Sequence, residues 1–262
     1  MTPLLVLKVM LAPTLTIAAT LSARRWGSAV GGWIAGFPLT SGPISLLLSL
    51  QYGVRFGQEA AHGTILGLIG VCAFVAAYAV VAQRSTWPLA LTAGLLAFTA
   101  TLGVLLLIAP GFWVSLALLG AILFACISAI PLDDCRPIER AAAWWDLPFR
   151  AGVVTALILG VTSVAPLLGE RLSGLVSPMP VVTGVLLVFA HQTRRLRAVK
   201  RLVRGVVSSL FGFGAFFIVV HQLPPGFGLL AIYVLALVAC LAVNAITYDR
   251  LLRHAAASSV EA

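Results

Sequence analysis

Charge is what this sequence has least of. Only 10% of its 262 residues are charged, against about 25% in an average soluble domain, and only eight are Asp or Glu. No carboxylate lies inside a long apolar run: Glu59 and Glu170 fall at run ends. That removes the buried acid with which many ion-coupled carriers hold their coupling ion, leaving His62, His191 or backbone carbonyls as substitutes. Cysteine is also scarce. Cys72, Cys126 and Cys240 lie in apolar runs and Cys135 in a loop, with neither metal-ligand spacing nor a disulfide framework. The four histidines, His62, His191, His221 and His254, are scattered. There is no P-loop, HExxH or GxSxG signature, and the serine of "TSGP" at 40–43 has no evident base, so no enzyme is expected and no cofactor or metal is implied. Apolar residues do not alternate, which excludes an outer-membrane barrel.

What is present is hydrophobic length. Hydrophobic residues make up 61% of the chain, and the apolar runs approach the roughly 20 residues that cross a bilayer. The pattern predicts an all-α polytopic membrane protein. Nine spans are cut by polar or Pro/Gly punctuation, at about 4–22, 28–52, 59–82, 88–108, 112–131, 149–167, 172–191, 205–222 and 227–247. Pro110-Gly111 marks a tight turn inside a run too long for one span. The N-terminal run is read as a retained helix, because Arg24 and Arg25 follow it, whereas a signal peptide carries its positive charge in front.

Basic residues test the count, since they favour cytoplasmic loops. Fourteen of the 17 adjoin the loops after spans 1, 3, 5, 7 and 9; only Lys8, Arg55 and Arg171 belong to the other side. The reading is a multi-pass protein of a bacterial inner membrane with its N-terminus outside and C-terminus inside; the Ala, Gly and Arg richness points to a high-GC bacterium. The densest cluster, "TRRLRAVKRLVR" at 193–204, reads as a loop before span 8. Its Arg194, Arg195, Arg197, Lys200, Arg201 and Arg204 would meet anionic lipid head groups or dock a partner. No aromatic residues interleave with them, which argues against nucleic acid. Trp144 and Trp145 read as interfacial anchors, Asp133 and Asp134 as a solvated loop pair, and Asn244 as a helix–helix hydrogen bond.

The two halves resemble each other. At an offset of 142, Gly63, Leu68, Gly70, Ala73 and Phe74 meet Gly205, Leu210, Gly212, Ala215 and Phe216. "WIAGFPLTSGPIS" matches "RLSGLVSPMPVV", with Gly36 on Gly174 and Pro43 on Pro180, and Lys8, Leu15 and Thr20 meet Arg150, Leu157 and Thr162. Five spans precede the second copy, so it should be inverted. The expected organisation is a first repeat of five spans over 1–131, a cytoplasmic loop at 132–148, a second, inverted repeat of four spans over 149–248, and a tail at 249–262. Inverted repeats recur in secondary transporters. Gly63, Gly67 and Gly70 read as a ridge for close helix packing.

Each copy carries a helix breaker where water cannot repair the damage. In the first copy it is the stretch from Gly36 and Pro38 through Thr40, Ser41, Gly42 and Pro43; in the second it is Ser177, Pro178, Met179 and Pro180. Freed backbone groups cost several kcal/mol each in hydrocarbon, so such breaks face protein or a watery cavity. Inversion would bring the two breaks together near the midplane. The N–H groups of Ser41 and Gly42, the hydroxyls of Thr40 and Ser41 and the positive end of the helix opening near Pro43 would then face an anionic or carbonyl-bearing solute. Lys8 and Arg150, on opposite sides, could draw an anion in.

The second copy, "RLSGLVSPMPVVTGVLLVFAH" followed by basic residues and "RGVVSSLFG", resembles small four-helix bacterial membrane proteins of the GlpM type over roughly 150–247. In architecture the chain resembles the drug/metabolite transporter superfamily, whose larger members have ten helices where nine are counted here. These likenesses imply a membrane fold, and the second implies transport. The expected function is alternating-access transport of a small polar or anionic metabolite. The alternatives are a channel for a small anion or neutral solute, and a non-transporting assembly subunit docking through 193–204. A homodimer is an assembly open to any of them.

Overall fold

The computed structural model describes residues 28–38, 41–129, 170–192 and 196–257, with Thr14, Leu21, Arg25 and Gly152 as isolated positions. Among these residues every regular element is helical and there is no strand. In chain order the α-helices are α1 (Ser28–Ala35), α2 (Ser41–Tyr52), α3 (Val54–Val81), α4 (Trp87–Ile108), α5 (Phe112–Ala129), α6 (Glu170–Val176), α7 (Val181–Gln192), α8 (Leu196–Gln222) and α9 (Leu229–Ala257). Six stretches are long and apolar enough to cross a bilayer: α3, α4, α5, the α6–α7 stretch from Gly174 to Gln192, α8 from Ala198, and α9 to Tyr248. The chain is a multi-pass membrane protein. Of the nine expected spans, those at 4–22 and 149–167 lie outside the described residues but for Thr14, Leu21 and Gly152, and the one at 28–52 is divided between α1 and α2.

Burial separates the helices by role. The spanning parts of α3 and α8 are 67% and 72% buried, against 22% for α4, 17% for α5 and 28% for α9. So α3 and α8 form the centre, and the other three face hydrocarbon with side chains such as Leu107, Phe124 and Leu230. The central pair is antiparallel. Gln58 near the start of α3 donates its amide to the carbonyl of Leu223 just past the end of α8, 2.9 Å away, and His221 Nδ1 donates to the Gln58 carbonyl at 2.8 Å.

Close approach depends on glycine, as expected for the ridge in α3. A Cβ at Gly67 would collide with the Leu175 carbonyl and Pro178, and one at Gly70 with Phe98 and Leu102. In lipid, where apolar burial gives no advantage between helices, such contact is what holds helices together. The turn at Ala109-Pro110-Gly111 separates α4 from α5 as read, with Ala109 left-handed at φ 45°.

Three local expectations are corrected. The basic segment is not a loop throughout: α8 begins at Leu196, so 196–204 is helix, with Val199, Leu202 and Val203 buried. Arg194 and Arg195 lie outside the described residues, while the Arg204 guanidinium turns inward and donates to the Ile127 carbonyl of α5 at 3.4 Å. The span placed at 59–82 begins at Val54, directly after Gly53, whose φ of 95° turns the chain from α2 into α3 with no loop. Asn244 does not bridge helices through its amide nitrogen, which donates within α9 to Cys240 Sγ at 3.4 Å; the side chain is buried against Gly212 of α8.

Candidate functional site at the paired helix breaks

Both expected breaks are present. Helix α1 ends at Ala35, and Gly36, Phe37 and Pro38 lead toward α2 at Ser41. Helix α6 ends at Val176, and Ser177 to Pro180 lead into α7. Proline explains both: Pro38 and Pro180 lack the N–H a continuing helix would need, and each disfavours helical geometry in the residue before it.

The structure brings the breaks together. The Ser41 hydroxyl donates to the carbonyl of Ser177, 3.1 Å away and 136 residues on in sequence. Ser41 is 1% exposed, and Gly42, Pro178 and Pro180 are buried. Of the remaining expected site residues, Pro43 lies in the first turn of α2, while Thr40, Lys8 and Arg150 lie outside the described residues.

Most of the backbone groups freed by the breaks have found partners. The Gly42 N–H donates to the Pro38 carbonyl at 2.8 Å, so it is not free to face a solute as expected. The Gly174 carbonyl accepts from the Ser177 N–H at 3.2 Å and from Thr64 Oγ1 of α3 at 3.1 Å. The Val176 carbonyl accepts from Met179, and the Pro180 carbonyl from Gly184. What joins one break to the other is a side-chain hydroxyl on a carbonyl. A solute carrying both an acceptor and a donor could replace each half of that bond.

The segments around the breaks are clamped by the central helices. Gly36 sits on Ser209 and the Val206 carbonyl of α8, and Gly174 sits on the Ala60 carbonyl of α3. Gly42 faces the Phe216 ring of α8, and Gly184 faces the Phe74 ring of α3.

A hydroxyl cluster beside the first break was missed. Tyr233 of α9 shares hydrogen bonds with Ser45 at 2.7 Å and Ser49 at 2.9 Å, and all three residues are buried. Part of the signal was there: Ser41, Ser45 and Ser49 recur every fourth residue, on one face of a helix. Tyr233 carries no local sign of its partners.

A second polar cluster joins the ends of α3, α5 and α8. His62 Nε2 lies 3.1 Å from Ser115 Oγ, and the Phe112 ring stacks on His221 with centroids 3.9 Å apart. The Ser115 hydroxyl already donates to the Gly111 carbonyl, so His62 supplies the proton of the pair. Among the described residues no group of three or more His, Cys, Asp or Glu side chains could hold a metal ion.

No family model, curated protein or solved structure matches this chain.

Proposed function

We propose that this protein is a transporter of a small polar or anionic metabolite, working by alternating access around two interrupted helices in inverted repeats. The observation that carries the reading is the Ser41–Ser177 hydrogen bond, which joins two helix interruptions inside an apolar bundle. Interrupted helices meeting between repeats are where such carriers hold their solutes.

The repeat is supported by contacts that exchange between the halves. At the offset of 142 found for α3 and α8, Phe74 corresponds to Phe216. Gly42 meets Phe216 while Gly184 meets Phe74, so each ring lies against a glycine that follows the other half's break. Gly36 meets Val206 while Gly174 accepts from Thr64, again equivalent residues in exchanged roles. Gly70 faces Leu102 and Gly212 faces Asn244, each 142 apart. Reciprocal contacts of this kind accompany two-fold symmetry. The antiparallel course of α3 and α8 is what an axis in the membrane plane would give.

In this arrangement the breaks are shut on each other. Opening toward either side would part Ser41 from Ser177 and offer a hydroxyl donor and a carbonyl acceptor to a solute. The test is uptake of a panel of small polar and anionic solutes into proteoliposomes. The full-length protein should show saturable uptake of at least one of them, accelerated by the same solute inside. Ser41→Leu and Pro180→Leu, checked for folding by thermal melting, should reduce it at least tenfold. Wild-type uptake by both folded variants would refute the site. Fast flux without trans-acceleration would identify a channel.

A further inference from the structure

Helix α5 is held to its neighbours at both ends, and beside its C-terminal end a cleft opens against α3. At one end Phe112 and Ser115 close on His221 and His62. At the other the Arg204 side chain reaches the Ile127 carbonyl. Between α3 and α5, toward the Arg204 end, the facing residues are Ala76 and Ala79 on one helix and Ala125 and Ala129 on the other. Methyl groups cannot bridge the space, and a cleft of about 490 Å³ remains, within the range of roughly 300–1,000 Å³ typical of ligand sites.

Its walls say what can fill it. Apolar side chains line most of the cleft, and apolar cavities stay dry rather than hold water. The polar side chains lining it are the Lys200 ammonium and the Gln83 amide, and no acidic residue is among the lining. Gln83 lies two residues past the end of α3, and Lys200 lies in the second turn of α8. Both therefore sit at the end where basic residues gather, and Arg84 is exposed beside them. The Gln83 amide nitrogen donates one proton to the Ala79 carbonyl at 3.3 Å and has a second to give, so with the ammonium it matches phosphate oxygens at the head of an acyl chain. Basic pockets between membrane helices take anionic lipid head groups in this way.

We propose that the cleft between α3 and α5 is a binding site for one anionic phospholipid, with an acyl chain against the alanines and its phosphate on Lys200 and Gln83. The site is independent of the solute pathway, and its test needs no transport assay. The full chain is purified with a mixture of phosphatidylglycerol and phosphatidylcholine of matched chains, and retained lipid is read by native mass spectrometry. One phosphatidylglycerol should be held preferentially. Lys200→Ala should lower its retention about fivefold, the worth of one basic side chain near an anionic head group. Ala79→Phe fills the cleft from α3 and Ala125→Leu from α5; either, if folded by thermal melting, should abolish the preference, while Arg84→Ala should leave it. Cys126 lines the same cleft, so its alkylation by a maleimide should be slower in phosphatidylglycerol nanodiscs than in phosphatidylcholine ones. Equal retention of the two lipids by the unmodified chain would overturn the proposal. So would a preference that survives Ala79→Phe or Ala125→Leu, since the lipid would then be held by surface charge alone.

Discussion

Gly174 shows how little room a single position can have. A methyl group there would fall on the Ala60 carbonyl, backbone that cannot move aside without shifting α3. Overpacking of this kind costs about 1–3 kcal/mol. Gly174→Ala should therefore lower the unfolding midpoint in a denaturing-detergent titration, whereas Gly103→Ala, with open space around it, should leave the midpoint unchanged or raise it. An equal response from both would mean that α6 does not lie against α3 as described. The Tyr233 hydroxyl is a second such point. Hydrogen bonds inside membrane bundles average about 0.6 kcal/mol and reach about 1.7. Tyr233→Phe should cost an amount in that range, and a double cycle with Ser45→Ala should return a coupling energy above zero; additive losses would show that the pair is not coupled.

At the scale of elements, the breaks were legible and the start of α8 was not. A break is written locally: proline removes a donor, glycine loosens the backbone, and serine can bond to freed carbonyls, so "GFPLTSGP" and "VSPMP" can be read in isolation. The segment 193–204 was read as a loop because its charges mark the edge of the bilayer. Yet Leu, Arg, Ala and Lys are strong helix formers, and Leu196, Val199, Leu202, Val203 and Val206 recur at helical spacing. Charge marks where hydrocarbon ends and says nothing about where a helix ends. Single cysteines across 196–204 in a cysteine-free background should react with a soluble maleimide periodically, Leu196→Cys fast and Val199→Cys, Leu202→Cys and Val203→Cys slowly. Uniform fast labelling would restore the loop. The Ser45–Ser49–Tyr233 cluster escaped for another reason: its partners are more than 180 residues apart, and no short-range pattern encodes such a meeting.

For the whole molecule, the proposed likeness of the halves rests on Gly63, Leu68, Gly70, Ala73 and Phe74 sharing one offset, with the break segments shifted by four or five residues. The exchange of contacts between the halves depends on three-dimensional packing and could not be read in the sequence. The proposed repeat makes an energetic forecast. Phe74 and Phe216 occupy equivalent places, each buried and each against the other half's glycine. Phe74→Ala and Phe216→Ala should each cost roughly 3–5 kcal/mol and agree within error. A large disparity would argue that the likeness is of sequence alone.

Helix α5 lies against both members of the central pair. On the proposed repeat, α5 is the fifth crossing of the first copy, and the other four have counterparts in the second. A four-crossing unit duplicated head to tail returns the chain to its starting side, so its twin is threaded the same way up. One odd crossing between the twins flips the second. On the proposed repeat, α5 is therefore the crossing that turns the second copy over relative to the first.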